Sequence, residues 1–137
     1  MTIKSIATIF SIILLASIAF AEVKTSYPIN QIIDVSVDRE KSLRLVTHIV
    51  YPNGCYRPDH TKAHVDEAFN KILINHSANI YPGICTQAIT QKYSLVEMIM
   101  PRVGTYEVYD DAAESRYLGS LFVNEDNAIF VKNENNN

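Results

Sequence analysis

The chain has no tryptophan, only two cysteines and four glycines among its 137 residues, and no cluster of lysine or arginine. Two cysteines 30 positions apart cannot supply the CxxC spacing of metal and redox motifs. Without a basic patch, neither nucleic acid nor an anionic membrane surface is expected as the main partner, because both are held by grouped Lys and Arg side chains. The G-x-S-x-G turn that presents a hydrolase serine is missing too. Beyond residue 21 no apolar run approaches the ~20 residues of a membrane helix, so no membrane insertion is expected once the first segment is removed.

That first segment, MTIKSIATIFSIILLASIAFA, has the layout of a secretory signal peptide over residues 1–21. Lys4 gives a short positive start, Ile6 to Ile18 is almost wholly apolar, and Ala19 and Ala21 place small residues at −3 and −1 of a cleavage site. A periplasmic or secreted protein is the expectation. Removal leaves 116 residues, enough for one domain with one core, read here as 22–132 followed by a frayed polar tail at 133–137. Lys4 leaves with the signal, so the 12 basic residues fall to 11 against 15 acidic ones, and the net charge moves from −3 to −4. Such a mild charge reads as ordinary solubility.

Cys55 and Cys85 close two similar stretches, YPNGC at 51–55 and YPGIC at 81–85. In an exported chain a lone pair of cysteines closes a disulfide. A bridge over a loop of about 30 residues stabilises the fold by roughly 3–4 kcal/mol in the chain-entropy description. Gly54 in the turn PNG is expected to supply a positive φ.

The rest of the chain alternates with a period of two. In QIIDVSVD (31–38), Ile33, Val35 and Val37 share one face, while Leu43, Leu45, Thr47, Ile49 and Tyr51 share one face of SLRLVTHIVY (42–51). NKILINHS (70–77) sets Ile72 with Ile74. CTQAITQKYSLVEMIMP (85–101) reads as a short strand, a turn and a longer strand stopped by Pro101. GTYEVYDD and RYLGSLFVNE form a hairpin across AAES, and AIFVK (128–132) adds a last edge strand. Residues 59–69 admit either a short helix capped by Asp59, with Val65, Ala68 and Phe69 on one stripe, or a loop leading into a strand. Seven or eight short strands at this spacing specify an all-β domain, a sandwich or a small barrel.

The order of Pro52, Cys55, Ile72, Ile74, Cys85, Pro101, Gly104, Thr105, Tyr106, Val108, Gly119 and Val123 resembles a class of small exported bacterial β-sandwich proteins with two early cysteines and a late Gly-x-Tyr-x-Val hairpin. The resemblance spans roughly residues 40–125. It implies an immunoglobulin-like sandwich and brings no catalytic residues with it. The chain departs from true immunoglobulin domains in lacking tryptophan and in the short spacing of its cysteines.

Little chemistry stands out. His60 and His64 would face one way on a helix, as zinc ligands do, with Cys55 or Asp66 as a third. No cofactor is expected. Glu97, inside the apolar run VEMIM, is read as the solvent-facing residue of a half-buried strand. Asn75-His76-Ser77 fits the N-glycosylation sequon. Tyr51, Tyr56, Tyr81, Tyr109 and Tyr117 fall near turns and are the candidates for an interaction surface, since tyrosine offers contact area at low entropy cost. The expected function is binding or structural rather than enzymatic, with another protein or a cell-envelope component as partner. The alternatives are a secreted inhibitor working through a loop at 56–84, and a metal-binding protein or enzyme centred on His60 and His64.

Overall fold

Alternation with little helical periodicity builds an all-β protein. The computed structural model describes residues 22–112 and 115–136, so the expected signal peptide at 1–21 and part of the AAES connection lie outside the described residues. Among the described residues nine strands are found: β1 (Val23–Ser26), β2 (Gln31–Val37), β3 (Ser42–Tyr51), β4 (Tyr56–Asp66), β5 (Lys71–Ile80), β6 (Thr90–Ile99), β7 (Gly104–Asp110), β8 (Arg116–Val123) and β9 (Ala128–Lys132). They form a three-stranded sheet, β2-β3-β6, and a six-stranded one. In the larger sheet β4 covers one edge of β5 along its whole length. The other edge is shared, by β7 in parallel at Lys71–Ile74 and by β1 antiparallel at Ser77–Ile80. β8 and β9 follow β7.

The two sheets face each other as a sandwich, with β4 beside β6 at one corner and β2 beside β9 at the other. Between them Leu43 and Leu45 from β3, Ile72 and Ile74 from β5, Val96 from β6, Tyr106 and Val108 from β7 and Leu121 from β8 are buried in one cluster. The parity expected for β3 and β5 places these residues inward. In β2 a bulge falls between Ile32 and Asp34. It shifts the parity by one, so Ile32 is buried and Ile33 is 48 % exposed, contrary to the face assigned from alternation.

The helix considered for 59–69 is not formed; this stretch is mostly β4. Thr61, Ala63 and Val65 face inward while His60, Lys62 and His64 face out, a period of two that the apolar count alone does not reveal. The stripe of Val65, Ala68 and Phe69 does not exist either, and Phe69 is 74 % exposed. The hairpin into β5 turns at Glu67–Asn70, where Asp66 Oδ1 accepts from Phe69 N at 3.2 Å and Asn70 takes the left-handed φ of 51° that asparagine tolerates. The short strand expected after Cys85 is missing as well: residues 85–89 are irregular and pairing starts at Thr90. Two additions, β1 and β4, raise the strand count above the seven or eight expected.

Three hydrogen bonds of the Tyr106 and Asp110 side chains fix the β7–β8 hairpin to its surroundings. Tyr106 Oη donates to Arg102 O at 2.8 Å, four residues back, which is the arrangement of a tyrosine corner. Asp110 Oδ2 accepts from Ile29 N at 2.9 Å and Oδ1 from Ala112 N at 3.0 Å, and Arg116 donates to Ile29 O. Burial pushes the Asp110 carboxyl up despite these donors. In β8, a Cβ on Gly119 would lie 2.3 Å from Val131 O, so β9 packs closely only because this position is glycine. In the tail, Asn133 N donates to Leu118 O and Glu134–Asn136 form one 3-10 turn.

Candidate functional site

The Cys55–Cys85 disulfide is present and joins the start of β4 to the segment after β5. Tyr81 N donates to Cys55 O and Gly54 N to Thr86 O, each in the range of a good backbone bond. Gly54 has no positive φ. Its role differs from the one expected: a Cβ there would lie 2.3 Å from Thr86 Oγ1. Glycine here eases the approach of the Thr86 side chain and supplies no special backbone conformation.

The five tyrosines proposed as a contact surface do not form one. Tyr51 is fully buried, stacked on Tyr56 at 5.6 Å and edge-on to Tyr27 at 4.9 Å, so it belongs to the core. Burial, with Tyr27 beside it, pushes its hydroxyl up to about 12. Tyr81 is 38 % exposed with the Arg57 guanidinium 4.9 Å above its ring. Tyr109 and Tyr117 pair at 5.5 Å beside Lys71. That places them at the far end of β5 from Tyr81, about 30 Å away at ~3.3 Å per residue.

His60 and His64 both face out from β4, and on a strand four residues span about 13 Å, too far to share one ion. Among the described residues no group of three or more His, Cys, Asp or Glu is arranged to hold a metal. His60 does meet two partners. Its Nδ1 lies 2.7 Å from Asp59 Oδ2 and 3.2 Å from Ser77 Oγ, and Ser77 Oγ also donates to Asp59 at 2.9 Å. The Ser77 hydroxyl, aided by Lys24 and His60, holds the Asp59 carboxyl below the usual range. A catalytic triad needs the carboxylate on one imidazole nitrogen and the serine on the other. Here both crowd Nδ1, so the cluster has the residues of a triad without its geometry. Glu97 is the exposed partner of Arg44 across the β3–β6 register, 2.8 Å apart.

Sequence reasoning missed a hydrogen-bond chain across the sandwich, buried at Tyr51 and His76 and part-buried at Thr61 and Ser94. Tyr51 Oη lies 2.6 Å from His76 Nε2, His76 Nδ1 2.7 Å from Thr61 Oγ1, and Thr61 Oγ1 2.6 Å from Ser94 Oγ. The chain passes from β3 to β5 to β4 to β6 and so links both sheets. Burial holds the His76 pKa down, and with each ring nitrogen serving one hydroxyl, the neutral imidazole is fully satisfied. The parity of Ile72, Ile74 and His76 was a usable signal for an inward histidine. Nothing in the sequence named its partners.

The edges at β4, β2 and β9 differ in protection, while β6, at the edge of the smaller sheet, pairs with β3 without a register shift and lies beside β4. β4 carries Pro58, which has no N–H to offer, a bulge between Pro58 and His60, and the row His60, Lys62 and His64. β2 carries its own bulge. β9 pairs with β8 without any register shift and contains neither proline nor bulge. On its outer face Ile129 (56 %) and Val131 (53 %) stand beside Phe122 of β8 (45 %), all exposed. Between β9 and β2 runs an open groove of about 440 Å³, lined among others by Ile32, Ile33, Val35, Ile129 and Phe130. Lys132 Nζ reaches across to Gln31 Oε1 at 2.9 Å.

Among the described residues no helix is long and apolar enough to cross a membrane. Comparison with protein-family models, curated proteins and solved structures finds no match.

Proposed function

We propose that this chain is an exported, non-enzymatic domain of immunoglobulin-like type that binds another protein, or a protein component of the cell envelope, along the β9 edge and its groove against β2. The observation that carries this reading is the unguarded β9 edge: free backbone groups, no proline, no bulge, and apolar side chains exposed beside it. An extended segment of a partner adds to such an edge through main-chain hydrogen bonds, with alternate side chains seated in the groove. The disulfide supports export, since such bridges persist in oxidising compartments. The tyrosine corner at Tyr106 and the two facing sheets support the immunoglobulin-like class.

The competing readings have less support. The segment 56–84 is largely the paired β4–β5 hairpin and offers no long inhibitory loop, and the metal reading has lost the helix it required. The test is a photo-crosslinking residue placed at Ile129 in the exported protein, compared with one at Lys62. Discrete adducts from position 129 alone are expected. Equal adducts from both positions, or none from 129, would refute the edge as the binding site.

A further inference from the structure

We propose that Asn53 is a self-modification site, an asparagine poised to cyclise onto Gly54, and that the Cys55–Cys85 disulfide holds this reaction off. The pair is chemically reactive because glycine offers no side chain to shield its backbone nitrogen. Gly54 N, once deprotonated, attacks Asn53 Cγ; the C–N bond to Nδ2 breaks, ammonia leaves, and a succinimide ring remains. Water opens that ring at either carbonyl, giving aspartate or isoaspartate. The balance is one water consumed for one ammonia released.

Packing makes the reactive sequence hard to avoid. At Gly54 a Cβ would sit 2.3 Å from Thr86 Oγ1, so any larger residue would have to turn that side chain aside. Asn53 is held because its Oδ1 accepts from Cys55 N at 2.9 Å. The same contacts block cyclisation. Gly54 N is committed to Thr86 O at 2.9 Å and would have to leave it to attack. The Asn53 side chain is tied forward, towards Cys55, rather than free to fold onto the glycine nitrogen. The first lock depends on the bridge, because Thr86 directly follows Cys85 and Gly54 directly precedes Cys55, whereas the Asn53–Cys55 contact is local to the turn.

A thiol reductant opens the bridge, becoming oxidised to its own disulfide as Cys55 and Cys85 become thiols. Residues 85–89, which belong to no strand, are then held to the 51–55 turn by the Gly54 N–Thr86 O bond without the covalent link beside it. Once that bond opens, Gly54 loses its acceptor and the ring can close. The isoaspartate product adds a backbone carbon between residue 53 and Gly54, which displaces Gly54 N from Thr86 and hinders bridge closure. Reduction therefore leaves a permanent mark: a chain once reduced and aged re-forms Cys55–Cys85 poorly.

The experiment incubates the oxidised chain, the reduced chain and a synthetic peptide of residues 49–58 at mildly alkaline pH, and maps aspartate and isoaspartate at position 53. Resistance of the oxidised chain by roughly a hundredfold over the peptide is expected, a protection within the range of local opening equilibria. The reduced chain should approach the peptide's rate, and Asn53→Gln should abolish conversion in both. Hydrogen exchange is followed in the same samples. Conversion of the reduced chain while the β3 and β5 amides stay protected supports a local lock; conversion only as those amides open overturns it. So does an oxidised chain that converts as fast as the peptide, or a reduced chain that stays resistant.

Discussion

The two corners of the sandwich are built on opposite plans. At the β4–β6 corner and the neighbouring ends of β3 and β5, the sheets are joined by covalent and polar links: the Cys55–Cys85 bridge, the packed rings of Tyr27, Tyr51 and Tyr56, and the chain from Tyr51 through His76 and Thr61 to Ser94. At the β2–β9 corner a groove of about 440 Å³ separates the strands, spanned by Lys132 and Gln31. Cross-links of the first kind lower the entropy of the unfolded chain or specify which sheets meet. An open corner does neither, and leaves main-chain groups free for a partner. Stability and binding are therefore assigned to different ends of one small core.

The largest test of this division removes the bridge. Cys55→Ser with Cys85→Ser should lower the unfolding free energy by roughly 3–4 kcal/mol, seen as a large fall in Tm and in denaturant midpoint. A loss below about 1 kcal/mol would mean that the aromatic and polar links hold this corner without it.

His76 gives the second test, with a defined sign. Its folded pKa lies below the 6.5 of the free side chain because the ring is buried. As pH falls through 6.5 the unfolded chain takes up a proton that the folded chain declines, so stability drops, by at most about 1.4 kcal/mol per pH unit, until the folded pKa is reached. Asp110 has the opposite sign in a lower window. Its folded pKa is raised above 3.8, so between 3.8 and that raised value the folded state binds more protons and gains stability as pH falls. His76→Gln keeps a donor and an acceptor but cannot titrate. It should flatten the stability loss that begins at 6.5, measured by urea unfolding across pH; a slope that survives the substitution belongs to another group.

How much of this was legible follows from where each signal lies. The inward row of β3 and the β7–β8 hairpin were readable because large apolar residues recur at every second position there, at Leu43, Leu45, Ile49 and Tyr51 and at Tyr106 and Val108. β4 was not, because its inward positions include Thr61 and Ala63, and Thr61 is satisfied by His76 and Ser94 rather than by apolar packing. Four-residue β1 offers too little contrast to be seen. Ile33 was misassigned because a bulge moves parity by one residue with no mark in composition. The hydrogen-bond chain joins residues 25, 15 and 33 positions apart, and such pairings are set by sheet topology. AIFVK was read as a last edge strand and β9 stands at the sheet edge, but that it pairs with β8 without a bulge is a matter of register, which its composition does not mark.

The smallest expected effect is the one that separates the corners most cleanly. Ile129→Asp with Val131→Asp puts two charges on side chains that are already more than half exposed and lie outside the core cluster. Such surface changes are usually within ±0.5 kcal/mol each, so unfolding by urea should stay within about 1 kcal/mol of the parent chain. Charges on a free edge strand nonetheless repel an incoming strand, the same device by which β4 is blunted with Lys62. The expected pair of results is near-native stability with the loss of the adducts captured from a crosslinker at Phe122, which the substitutions leave in place. If stability instead falls by several kcal/mol, Ile129 and Val131 contribute to the core, and the contrast between a braced corner and an open one fails.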